Sequence, residues 1–75
     1  MYKKEIKIDT PEKAKSLCHL LRDIDSKATL SSGKYIVDAK SILGVLTLNL
    51  AKPVTLTIED NVSDRILSGI GQFEF

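Results

Sequence analysis

Asp38-Ala39-Lys40-Ser41-Ile42-Leu43-Gly44-Val45-Leu46-Thr47-Leu48 is the stretch on which the fold turns. Just before it, Tyr35-Ile36-Val37 is aromatic and β-branched, the composition of a strand. The strand stops at Asp38. Ser41 then opens a short helix, because a serine oxygen at a helix start can accept from the free backbone N–H groups there. An anion attached to that oxygen would also lie where the helix dipole favours negative charge. The helix is expected from Ser41 to about Leu48, with residues 49–53 leading onward.

Working back from Tyr35, Ser31-Ser32-Gly33-Lys34 supplies turn chemistry, and Gly33 can take a positive φ. With the short run Lys27 to Leu30 before it, this reads as a β-hairpin. Further back, Tyr2 to Ile8 alternates, with Ile6 and Ile8 on one face and Lys3, Glu5 and Lys7 on the other, a half-buried strand. Asp9-Thr10-Pro11-Glu12 opens a helix. Thr10 can cap it with Pro11 at the first position, or Asp9 can cap it in a capping box with Glu12. Ala14, Leu17, Cys18, Leu21 and Ile24 then form one stripe at helical spacing, with Leu20 at its margin, and the helix should end near Arg22 or Asp23.

Beyond the central stretch, Val54, Leu56 and Ile58 alternate with Thr55 and Thr57 in the cleanest strand of the chain. Val62, Ile66 and Ile70 are spaced i, i+4, i+8 and predict a last helix, which Gly69 and Gly71 weaken by about 1 kcal/mol each relative to alanine. Gln72 to Phe75 reads as an extended tail. The order is βαββαβα. A mostly antiparallel four-stranded sheet with helices on one face makes an open-faced α+β sandwich.

The chain has 75 residues, enough for one domain over residues 1–75. With 43% hydrophobic and 28% charged residues it reads as an ordinary globular domain. A net charge of +1, from 11 basic and 10 acidic residues, argues against a nucleic-acid binder. The one cysteine, Cys18, cannot form an internal disulfide and suits a reducing cytoplasm. No apolar run approaches the ~20 residues of a membrane span, and the first residues lack the apolar core of a signal peptide.

Ala39-Lys40-Ser41-Ile42-Leu43-Gly44, with Gly33-Lys34 in the hairpin, Leu48 further on and the order of elements, resembles the HPr family. These are the small phosphocarriers of the bacterial phosphotransferase system for sugar transport. The resemblance implies an HPr-like sandwich and no enzyme activity of its own. It also implies partners among phosphotransferase-system proteins. Ser41 matches the family's regulatory serine, which a serine kinase phosphorylates in many Gram-positive bacteria; helix capping is its simpler role, and both can hold at once. Ile42 and Leu43 match the apolar docking patch, with Lys40 beside them. Two successive apolar residues cannot both face inward, so one is expected to stay exposed for a partner.

The other half of the family's signature is not in the chain. Members carry phosphate on a histidine in a His-x-Arg-Pro motif at the start of the first helix. Matched on Pro11, Ile8 stands at the histidine's place and Thr10 at the arginine's. Sliding the match by a few residues does not help, since no histidine occurs from Met1 to Cys18. Asp9 and Glu12 would repel a phosphate there. The resemblance thus implies a degenerate phosphocarrier working as a regulatory or protein-binding module.

The sole histidine, His19, falls mid-helix on or near the solvent side, with no free N–H groups to hold an anion. No metal-ligand spacing, nucleophile–base set or phosphate loop is evident, and no cofactor is expected. The alternative reading is a structural module that forms homo-oligomers through a sheet edge or face, with Tyr2, Tyr35 and the Phe73–Phe75 tail as contacts.

Overall fold

The computed structural model of the chain describes residues 1–48, 50–60 and 62–73. Strand β1 spans Tyr2–Ile6, helix α1 Pro11–Arg22, β2 Ala28–Ser32 and β3 Tyr35–Asp38. Helix α2 spans Ile42–Val45, β4 Val54–Ile58 and α3 Asp64–Gly71. The sheet order is β1-β4-β2-β3, and every neighbouring pair is antiparallel. The expected βαββαβα sandwich is the observed fold. The first and last strands are direct neighbours, with Ile6 opposite Val54 and Tyr2 opposite Ile58.

The alternation along β4 decides which face is covered. Val54, Leu56 and Ile58 are buried, whereas Thr55 and Thr57 are half-buried on the open face. Leu30 of β2 sits opposite Leu56 and contributes to the same apolar layer. Ala14, Leu17, Cys18 and Leu21 of α1 close over it, joined by Ile66 and Ile70 of α3. Each Leu or Ile fully buried in this way contributes roughly 1.5–3 kcal/mol. Among the described residues every buried one is apolar, so the core holds no polar side chain that must find a partner.

Several boundaries differ from expectation, each for a local reason. β2 continues to Ser32 because Ser31 and Ser32 pair with Ile36 and Tyr35. Gln72 and Phe73 turn at the end of α3 instead of extending, the Phe73 N–H donating to the Ile70 carbonyl at 2.9 Å. β1 ends at Ile6 rather than Ile8. Its partner β4 begins after Pro53, which has no N–H for a ladder bond, and the Lys7 N–H donates instead to the Phe73 carbonyl at 2.8 Å. α2 is one turn, not two. Thr47 N–H donates to the Gly44 carbonyl and Leu48 N–H to that of Val45, both bonds of i to i−3 type that tighten the chain out of the helix. The Thr47 hydroxyl competes for the same Gly44 carbonyl at 2.6 Å. Finally, α3 starts at Asp64 and leaves Val62 outside, because Ser63 caps the helix with its oxygen accepting from Ile66 N–H. Asn49, Asn61, Glu74 and Phe75 lie outside the described residues, which covers parts of the expected connector and tail.

The hairpin turn is as the composition requires. Ser32 faces Tyr35, so Gly33 and Lys34 are its two loop residues, and Gly33 has φ +59°. A positive φ at the first loop position only is the pattern of a type II′ turn, which matches strand twist.

Candidate functional site

Two places bear on function: the opening of α1 and the turn of α2. At the first, Thr10 rather than Asp9 is the cap. Its Oγ1 accepts from Lys13 N–H at 3.2 Å, and Pro11 holds the first helical position. Asp9 is engaged elsewhere, pairing with Lys13 Nζ at 2.9 Å on the surface. The Lys13 hydrogen bond and charge hold the Asp9 carboxyl below its ordinary range, against a smaller opposing effect of desolvation. Pro11 has no N–H and that of Lys13 is taken. An anion here would find one amide of the first turn, that of Glu12, beside the carboxylates of Asp9 and Glu12. Ile8 is completely buried in the core, with 0% of its surface exposed.

At the second place, Ser41 Oγ accepts from Gly44 N–H at 3.3 Å, so the serine does cap α2. Its residue is exposed. A one-turn helix sums few peptide dipoles, however, and the attraction for an anion expected at this point is correspondingly small. Ile42 and Leu43 divide as two successive apolar residues must. Ile42 is half-buried against the core, and Leu43 is 77% exposed. Leu46, three residues on from Leu43, is 44% exposed and was not singled out by sequence reading. Its i, i+3 spacing from Leu43 was the available signal. Lys40 is half-buried, and its ammonium donates to the Ile24 carbonyl just past the end of α1. It therefore ties α2 to α1 in addition to flanking the apolar pair.

A shallow groove joins the two helices. Lys15, Cys18, His19 and Arg22 of α1 line it with Ile42 of α2. It runs along Lys15 to Arg22, past the opening turn at Thr10 and Pro11, so α2 meets the later turns of α1 rather than its start. His19 is exposed on this face. Cys18 lies beneath it, buried, and burial pushes its thiol pKa up; nearby Asp38 adds to the rise and Arg22 opposes it. Among the described residues no three His, Cys, Asp or Glu side chains come together to hold a metal ion, and no helix is long and apolar enough to cross a membrane.

This architecture is that of the HPr phosphocarriers. An HPr-C-His structure from Thermoanaerobacter tengcongensis superposes with a TM-score of 0.72 at 21% identity, covering 95% of this chain and 85% of that one. A phosphocarrier protein HPr from Bacillus anthracis str. Ames gives 0.72 at 17% identity, covering 97% and 96%. The histidine-containing phosphocarrier protein from a Mycoplasma gives 0.68 at 19%, covering 95% and 86%. At such identities the likeness speaks for the fold. No curated protein matches the chain at a significant level. The family model for the phosphotransferase-system HPr component phosphorylation site matches residues 4–73, and the chain belongs to the HPr family, whose members are phosphocarriers rather than enzymes.

Proposed function

We propose that residues 1–75 form a single HPr-like domain that acts by protein contact and not by carrying phosphate on a histidine. Ile8 carries this reading. It stands where the family's phosphoacceptor would, three residues before Pro11, and its side chain is fully buried in the core. The neighbouring groups support it. Thr10 uses its oxygen for capping, Asp9 is paired with Lys13, and the only imidazole is that of His19, in the last turn of α1. A His19 side chain there meets helix amides that are already bonded within the helix, so it lacks the bare N–H groups that steady a phosphoryl group.

Contact would be made by exposed Leu43 and Leu46, with half-buried Ile42 and Lys40 at their edge and Ser41 beside them. Partners would be proteins of the phosphotransferase system, and a serine kinase acting on Ser41 would regulate the surface. A phosphate there adds roughly −1.5 to −2 charges next to an apolar patch, which changes what can dock. A reducing cytoplasm is the fitting compartment for the buried free thiol of Cys18.

The test is incubation with phosphoenolpyruvate and the first enzyme of the phosphotransferase system. No acid-labile phosphate is expected on the chain. Acid-labile label, lost in a His19→Ala variant, would overturn the reading. With ATP and the serine kinase, acid-stable phosphate absent from a Ser41→Ala variant is the expected result.

A further inference from the structure

The two edges of the sheet are built differently. β1 carries three charged residues in succession, Lys3, Lys4 and Glu5, the usual protection of a free edge. β3 carries Tyr35, Ile36 and Val37, with Tyr35 74% and Ile36 70% exposed. Neither a proline nor a bulge interrupts β3 in its pairing with β2.

The hydrogen-bond phase of β3 is fixed by its neighbour. The Ala39 N–H donates to the Ala28 carbonyl at 3.0 Å. Narrow and wide pairs alternate along an antiparallel ladder, so Val37 and Tyr35 bond towards β2 as Ala39 does. The backbone N–H and C=O of Ile36 therefore point out of the sheet at its open edge.

We infer that β3 is a self-pairing edge, and that its occupant is β3 of a second copy of this chain. An antiparallel partner lying in the same sheet must place like-facing residues opposite each other. Centring the two-fold axis on Ile36 satisfies this. Ile36 then meets Ile36 of the second copy and exchanges both backbone bonds with it. Tyr35 meets Val37, and Lys34 meets Asp38, each pair occurring twice by symmetry. The sequence Lys34-Tyr35-Ile36-Val37-Asp38 is thus complementary to itself when reversed: cation against anion at both ends, apolar against apolar between. The pairing covers the two exposed apolar side chains of the strand and makes an eight-stranded sheet. An edge of four residues is short, so the dimer is a weak, reversible one.

Sedimentation velocity over a wide concentration range tests this. The apparent mass should rise from the monomer's 8.3 kDa towards twice that value, and the rise should shrink with added salt. Two variants at exposed positions should abolish or weaken it while leaving the far-ultraviolet circular dichroism unchanged. Ile36→Lys opposes two ammonium groups on the axis. Lys34→Asp sets carboxylates against Asp38 at both ends and should weaken association about tenfold or more. Asp38→Asn keeps the Oδ1 acceptor that Lys40 N–H uses at 2.9 Å and should weaken it less. In the wild-type chain, exchange of the Ile36 amide hydrogen should slow as concentration rises. A mass of 8.3 kDa at every concentration overturns the inference. So does association that survives Ile36→Lys, or an Ile36 amide indifferent to concentration.

Discussion

Replacing Ile8 by histidine should not restore a phosphocarrier; it should cost the fold much of its stability. Ile8 is wholly buried in the core. Removing its side chain from that site forfeits roughly 1.5–3 kcal/mol of apolar transfer. The imidazole that replaces it brings two ring nitrogens into surroundings whose buried members are all apolar among the described residues. An unsatisfied polar group costs about 1–3 kcal/mol more. The sum, roughly 2.5–6 kcal/mol, is a large part of what a chain of this length commands, about 4–11 kcal/mol at 0.05–0.15 kcal/mol per residue. Urea unfolding should therefore show a midpoint lowered by about a quarter or more with the slope unchanged. The loss should deepen below about pH 6.5. A histidine held neutral has its folded-state pKa depressed, so the unfolded chain binds the extra proton and stability falls as pH falls. Ile8→Val, which only trims a methylene, should cost about 0.5–1.5 kcal/mol. An Ile8→His protein with the parent's urea midpoint would show that this position can face solvent and could hold a phosphoacceptor.

Thr10→Ala should destabilise by about 1 kcal/mol through loss of the α1 cap, read as a lowered urea midpoint, while Thr10→Ser should be nearly neutral. The Asp9 carboxyl should titrate by NMR below the usual aspartate range and return towards it in Lys13→Met. The pair is present above the ordinary aspartate pKa and is lost as pH falls through the lowered one, with no measurable change in overall stability because both groups are exposed. The Cys18 thiol should react slowly with a thiol reagent near pH 8 in the folded protein and fully once urea unfolds it, since burial raises its pKa and blocks access. At Ser41, alanine should cost about 0.5–2 kcal/mol by removing the α2 cap. Ser41→Asp should keep most of that stability and still weaken partner docking, which separates capping from charge.

The fold was legible because its period-2 and period-3.6 patterns are unusually clean. β4 alternates without exception, and the α1 stripe from Ala14 to Leu21 is buried as the wheel requires. Ile24, at the stripe's end, is only partly buried because α1 has stopped at Arg22. Boundaries were less legible, since they depend on partners distant in sequence. Nothing in Ile6-Lys7-Ile8 says that Pro53 ends the pairing, nor that Phe73 takes the Lys7 N–H. The candidate site was legible as residues but not as geometry. Spacing could say that one of Ile42 and Leu43 must be exposed; only packing against α1 decides that it is Leu43. Lys40 reads as a surface cation until the fold brings the Ile24 carbonyl within its reach.

Asp38 links the two surfaces. It ends β3, its Oδ1 accepts from Lys40 N–H, and its carbonyl accepts from Ser41 N–H at 3.1 Å. The turn that stops the strand is thus the one that sets the serine at the mouth of α2. A phosphate on Ser41 would stand three residues from the carboxylate that faces Lys34 of a second copy. Like charges so placed repel, modestly because both residues are exposed. The phosphate would also compete with Asp38 for that lysine. If both occur, modification at α2 and pairing at β3 would be coupled through one residue. In the Asp38→Asn chain the turn persists but its charge is gone, so association should respond less to phosphate at Ser41 than it does in the parent. Equal responses in the two chains would mean that the surfaces act independently.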